Sequence, residues 1–153
     1  MERISLKEIQ IYTDGACKGN PGPGGWAAVL KYNGHRKEIF GFVPNTTNNR
    51  MEILAVIKAL EELKQSCTIN IFSDSQYVCN AVNKGWAKKW KNNNWMKNKK
   101  EKALNTDLWE RLLNLLENHN INFIWVRGHN GNEENERCDK LAVLAIEKNI
   151  THQ

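Results

Sequence analysis

Along the first third of the chain, apolar and polar positions alternate with the period of a strand. Ile9, Ile11 and Thr13 are separated by Gln10 and Tyr12, which predicts one strand with two distinct faces. Asp14-Gly15 and the run Gly19-Asn20-Pro21-Gly22-Pro23-Gly24-Gly25 predict a tight loop. A second strand is expected over Trp26 to Tyr32 and a third over Lys37 to Val43, ended by Pro44, with Asn33-Gly34 as the hairpin turn between them. The period then changes. Thr46, Thr47, Asn48 and Asn49 offer helix caps, and Ile53, Val56, Ile57, Leu60 and Leu63 follow at helical spacing. Thr68 to Ser73 reads as a strand. A short helix carrying Tyr77, Val78, Ala81 and Val82 starts after Asp74-Ser75, and another runs from Asp107 to Asn118. Ile121, Phe123 and Trp125 alternate as the last strand; a polar loop follows, then a helix through Leu141, Leu144 and Ala145. Three strands in a meander, then helix, strand, helices, strand and helix predict a mixed sheet with helices on both faces. In such folds active sites gather at strand ends.

Composition changes this picture little. A chain of 153 residues, 41% apolar and 25% charged, suits one compact domain over 1–153. A net charge of +5 hints at a polyanionic partner, although a merely basic solvated surface accounts for it equally well. No apolar run near the N-terminus resembles a signal peptide, and no stretch approaches the roughly 20 apolar residues that span a bilayer. A cytoplasmic location is therefore expected. Cys17, Cys67, Cys79 and Cys138 contain no C-x-x-C pair, so they read as free thiols rather than zinc ligands.

The chemistry is carried by acids. Asp14 and Asp74 each follow an apolar-patterned strand, Glu52 sits early in the first helix, and Asp139 sits near the start of the last one. Any one of them alone is more readily a turn former or a cap. Together in one crevice they would repel, and a hard divalent cation such as Mg²⁺ relieves that repulsion.

Several long strings stand in register with one family. Ile11-Tyr12-Thr13-Asp14-Gly15-Ala16-Cys17 with the glycine-rich run after it, Thr46-Thr47-Asn48-Asn49-Arg50-Met51-Glu52, Ser73-Asp74-Ser75-Gln76-Tyr77-Val78, Val126-Arg127-Gly128-His129 and Glu134-Asn135-Glu136-Arg137-Cys138-Asp139 resemble the bacterial type 1 ribonucleases H over nearly the whole chain. The resemblance implies a ribonuclease H-like α/β fold, with a five-stranded mixed sheet of three antiparallel strands then two parallel ones. It implies an endonuclease that hydrolyses the RNA strand of RNA–DNA hybrids largely without regard to sequence, leaving 5′-phosphate and 3′-hydroxyl ends. It implies that Asp14, Glu52, Asp74 and Asp139 form the metal-binding catalytic set for two Mg²⁺ ions, for which Mn²⁺ can substitute, and that His129 assists proton transfer or product release. The expected partner is the hybrid duplex, with the protein a monomer that needs neither membrane nor obligate protein partner.

Two further groups of residues are candidates for the duplex. Lys84 to Lys102 interleaves lysines with tryptophans, including Trp86, Lys88, Lys89, Trp90 and Lys91. Lysines neutralise phosphates and aromatic rings stack on sugars or bases. Trp86 and Trp90, four apart, would share a helix face and with Trp95 could instead form a small satellite core. The resemblance supports a basic protrusion here that grips the hybrid, and it matches Asn20, Thr47, Asn48 and Gln76 to residues that contact the minor groove or the DNA backbone; Asn48 could equally cap its helix. Two rival functions are a DNA-directed nuclease or strand transferase of the wider superfamily and a non-catalytic hybrid-binding module. The four intact acids argue against the second.

Overall fold

The meander is present, with longer strands than the alternation alone predicts. In this computed structural model, which describes residues 7–127 and 132–150, β1 (Lys7–Cys17), β2 (Gly22–Tyr32) and β3 (His35–Thr46) pair antiparallel. Helix α1 (Asn48–Glu61) leads to β4 (Cys67–Ser73), then α2 (Gln76–Asn83), α3 (Trp86–Asn92), α4 (Thr106–Leu116), β5 (Asn120–Trp125) and α5 (Glu133–Ile150). The sheet order is β3-β2-β1-β4-β5, with β4 parallel to both β1 and β5. This is the expected ribonuclease H-like arrangement of three antiparallel strands followed by two parallel ones.

The glycine-rich run is mostly strand rather than loop. Gly24 pairs with Cys17 and Val43, and Gly25 with Ala16 and Phe42. A Cβ built on Gly25 would come 2.1 Å from the Ala142 carbonyl oxygen. The glycine is there because α5 lies directly on the strand backbone, not because the chain turns.

Alternation sorts the two faces of β1. Ile9 and Ile11 join the larger core with Ile53, Val56, Ile57 and Leu60 of α1, Ile69 and Ile71 of β4, and Trp109 and Leu112 of α4. Tyr12 packs from the other side, with Ala27, Val29, Cys138, Leu141 and Ala142 under α5. Burying a large aliphatic side chain contributes about 1.5–3 kcal/mol each, so the α1 face carries most of the hydrophobic stabilisation. The α5 stripe runs through Cys138, Leu141, Ala142, Ala145 and Ile146. Leu144, expected among its apolar residues, falls off that stripe and is 38% exposed. In β5 only Phe123 is buried, because this is an edge strand with one neighbour.

Local caps set the helix starts that matter below. Thr47, not Asn48, caps α1: its side chain accepts the Arg50 N–H at 3.3 Å. Ser75 caps α2 by accepting the Val78 N–H at 3.2 Å. All four cysteines are free thiols. Among the described residues no helix is long and apolar enough to cross a membrane.

Candidate active site

At the end of the β1–β4 pairing the sheet opens into a cleft of about 390 Å³ lined by Asp14, Gly15, Asn48, Glu52, Asp74, Gln76, Tyr77, Arg127, Asn135 and Asp139, among others. The parallel register between β1 and β4 ends at Tyr12 with Phe72, whereas the antiparallel register of β1 with β2 continues to Cys17. Asp14 therefore lies inside a strand on one side and just past the end of a ladder on the other. Asp74 follows the last residue of β4, and Glu52 comes from the second turn of α1.

These three acids converge: one carboxylate oxygen from each of Asp14, Glu52 and Asp74 lies within 4.8 Å of the others. Asp14 and Glu52 are buried. The Gly15 N–H donates to Asp14 Oδ1 at 2.9 Å and to Glu52 Oε1 at 2.8 Å. Gly15 is needed for this approach, since a Cβ there would stand 2.6 Å from the Glu52 backbone nitrogen. Glu52 Oε2 is buried and finds no hydrogen-bond donor, an arrangement that costs free energy unless something electropositive faces it. Asp139 on α5 lines the same cleft but stands outside the close trio.

The electrostatics follow from this crowding. Burial raises the Asp14 carboxyl to about 7; a proton held with Glu52 pulls against that rise, and the charges of Asp74 and Asp139 add to it. Glu52 is pushed well above the ordinary carboxylate range, first by burial and then by Asp14 and Asp74. A donor set made only of carboxylate oxygens, one of them buried without a partner, fits a hard divalent cation, and its charge would reverse both shifts.

The remaining predicted residues divide. Asn48 and Gln76 line the cleft, and Asn20 joins them indirectly, accepting the Asn48 N–H on Oδ1 at 3.1 Å. Thr47 is engaged as the α1 cap. His129 lies outside the described residues. On α3, Lys88, Lys89 and Lys91 are exposed. Trp86 is 37% exposed beneath the Lys84 ammonium, 5.4 Å from its ring centroid. Trp90 turns inward, edge-on to Trp109 at 6.2 Å, and with Trp95 packs on the main core. Among the described residues no separate satellite core forms, because Trp90 lies against Trp109 of α4 and Trp95 packs on the same main core.

Residues not singled out from sequence also belong to the cleft. Tyr77 lines it, and its hydroxyl accepts from Asn105 Nδ2 at 3.2 Å and Trp109 Nε1 at 3.0 Å, tying α2 to the start of α4. Beside the cleft, Trp125 Nε1 donates to the Asp74 carbonyl at 3.1 Å. Asn135 is buried at its amide oxygen. Its position four residues before Asp139 places both on one helix face, a spacing that could have marked it.

Comparison with known proteins agrees with this geometry. The family model described as RNase H matches residues 6–147. A protein named ribonuclease H from Desulforamulus reducens is 62% identical over 147 residues, covering 96% of this chain and 92% of that one. Among solved structures, LC9-RNase H1, described as a type 1 RNase H with the type 2 active-site motif, superposes with a TM-score of 0.85 at 28% identity, covering 96% of this chain and 75% of that one. LC11-RNase H1, solved in complex with an RNA/DNA hybrid, shares the fold at a TM-score of 0.72 and 24% identity, covering 93% of this chain and 99% of that one.

Proposed function

Because the chain belongs to the ribonuclease H family, we propose that it is an endonuclease that hydrolyses the RNA strand of RNA–DNA hybrids, leaving 5′-phosphate and 3′-hydroxyl ends. The observation that carries this reading is the convergence of Asp14, Glu52 and Asp74 within 4.8 Å, around a buried carboxylate oxygen that has no donor. We assign the site to two Mg²⁺ ions, which Mn²⁺ can replace, held by Asp14, Glu52, Asp74 and Asp139. Bound there, such ions supply activation of a water and stabilisation of the leaving oxygen in an in-line displacement.

The chain's own residues do the rest. The Gly15 N–H fixes the orientation of Glu52. Asp14 and Glu52, both raised by burial and crowding, would have to be ionised to hold a divalent cation, so holding one would displace any proton they carry. Asn20, Thr47, Asn48 and Gln76 contact the duplex beside the acids, where 2′-hydroxyls distinguish RNA from DNA. Trp86, Lys88, Lys89, Trp90 and Lys91 supply the basic helix that holds the duplex backbone, with Trp90 acting as its internal anchor. These contacts read backbone and groove rather than base edges, so little sequence preference is expected. His129 assists proton transfer or product release, and the enzyme acts as a monomer in the cytoplasm, as one domain over 1–153.

The test is cleavage of a labelled RNA strand as a single strand, paired to RNA and paired to DNA, each with Mg²⁺ and with EDTA. Cutting of the hybrid alone, and only with metal, is the expected result. Binding of the hybrid without cutting would replace this reading with that of a binding module. Asp14→Asn should lower hybrid cleavage by more than about 100-fold, beyond the loss typical of outer-shell partners, while hybrid binding survives. Full activity of that variant would overturn the metal-site assignment.

A further inference from the structure

The β1–β4 ladder ends two residues before each of the acids it positions. Its last register pair is Tyr12 with Phe72, yet Asp14 and Asp74 lie beyond that pair and repel each other. A side chain bridges this gap. Asn135 of α5 donates from the same Nδ2 to the Thr13 carbonyl at 3.4 Å and to the Phe72 carbonyl at 3.0 Å. Both partners are acceptors, so the amine end of the amide must face them. The first carbonyl belongs to the residue before Asp14 and the second to the residue two before Asp74. Asn135 is itself held, its own N–H donating to Asn132 Oδ1 at 3.1 Å. A second link runs alongside: Cys138 Sγ donates to the Tyr12 carbonyl at 3.3 Å.

We propose that Asn135 is a positioning residue for the catalytic acids, a side-chain rung that clamps the ends of β1 and β4 together and thereby sets the separation of Asp14 and Asp74. Asn135 lies one helical turn before Asp139, so the same clamp fixes where α5 delivers the fourth acid. It acts through backbone carbonyls and does not touch the reacting phosphate. With both amide hydrogens given to the strands, its Oδ1 is left buried without a donor. That is an unfavourable position for an asparagine whose only task is packing, since a buried acceptor of this kind is ordinarily satisfied.

The inference rests on the ribonuclease H reading only for its activity arm; the metal-binding arm needs no substrate. Mg²⁺ would be titrated into the protein alone by calorimetry, and hybrid cleavage measured at saturating Mg²⁺, for wild type and Asn135→Ala. The expected result is a Mg²⁺ dissociation constant raised about 10–100-fold and kcat lowered over a similar range, as for other partners that orient ligands, with the KM for hybrid unchanged. If Asn135→Ala does not fold, Asn135→Ser, which keeps one small donor, carries the same two readouts. A folded variant with wild-type Mg²⁺ affinity and kcat would overturn the proposal. So would a change confined to KM, which would make Asn135 a duplex contact instead. Failure of the wild type to cut hybrid would overturn the functional reading and leave the calorimetric comparison standing.

Discussion

At the scale of single residues, the acids make this protein less stable in order to make it useful. Asp14 sits near 7 when no cation is present, against about 3.9 for a free aspartate. A carboxyl raised on folding contributes proton-linked stability that is fully present below about pH 4 and is lost as pH rises through 7. Glu52, raised well above its ordinary range, acts in the same direction. Glu134 opposes them: Arg36 first, and then Lys31, lower it to about 2, so its contribution is present above the unfolded value and is lost only as pH falls toward 2. Between pH 5 and 8 the buried acids dominate. In EDTA, Asp14→Asn should therefore melt above wild type at pH 8, by up to about 4 kcal/mol for a carboxyl raised to about 7, and the difference should narrow toward pH 5. Thermal unfolding at the two pH values measures this; a variant less stable than wild type at pH 8 would mean that the crowding is not what strains the site.

At the scale of elements, two placements were not legible in the pattern of residues. The glycine-rich run has turn chemistry, and the alternation that marks a strand cannot register where the side chains are absent; only contact with α5 explains Gly25. Trp86 and Trp90 share a helix face by spacing, yet one is exposed and the other rests on Trp109, because the position of α4 is a property of the tertiary fold. The succession of strands and helices, by contrast, could be read from the run of periods, while the split into three antiparallel and two parallel strands came from the family resemblance; residue type narrowed the cap of α1 to four neighbouring candidates, of which the structure selects Thr47. Gly25→Ala would drive a methyl group against the Ala142 backbone, three residues beyond Asp139. We expect a loss of about 1–3 kcal/mol, as for other overpacked sites, seen as about 2–4 °C in melting temperature per kcal/mol, together with a lowered kcat. The basic helix should behave differently. Replacing Lys88, Lys89 and Lys91 with alanine should weaken hybrid binding and reduce the salt dependence by up to about 0.9 for each phosphate no longer neutralised, leaving kcat at saturation unchanged. A fall in kcat with the salt slope intact would show that α3 serves the chemistry and not the grip.

At the scale of the whole molecule, the acids of the candidate site could each be picked out from the sequence, but their meeting could not. Asp14 and Glu52 stand far apart in the chain, and only the crossing of α1 over β1 shows that one N–H, from Gly15, serves both. It was the resemblance across many motifs, rather than composition, that grouped them. The assembled site should make folding depend on divalent cations. Mg²⁺ at about 100 times its dissociation constant adds about 2.7 kcal/mol, so wild type at pH 8 should melt several degrees higher in Mg²⁺ than in EDTA, and Asp14→Asn should lose most of that rise. The free thiols carry a separate consequence, one of timing. Cys17 ends β1, Cys67 begins β4, Cys79 lies in α2 and Cys138 in α5, and burial raises the pKa of each. Only a thiolate attacks a disulfide reagent, so half-buried Cys17 reacts first, and each of the buried sulfurs of Cys67, Cys79 and Cys138 reacts when its own neighbourhood opens. The chain thus contains three internal clocks, in β4, α2 and α5, and the order in which an aromatic disulfide consumes them records the order in which the fold comes apart.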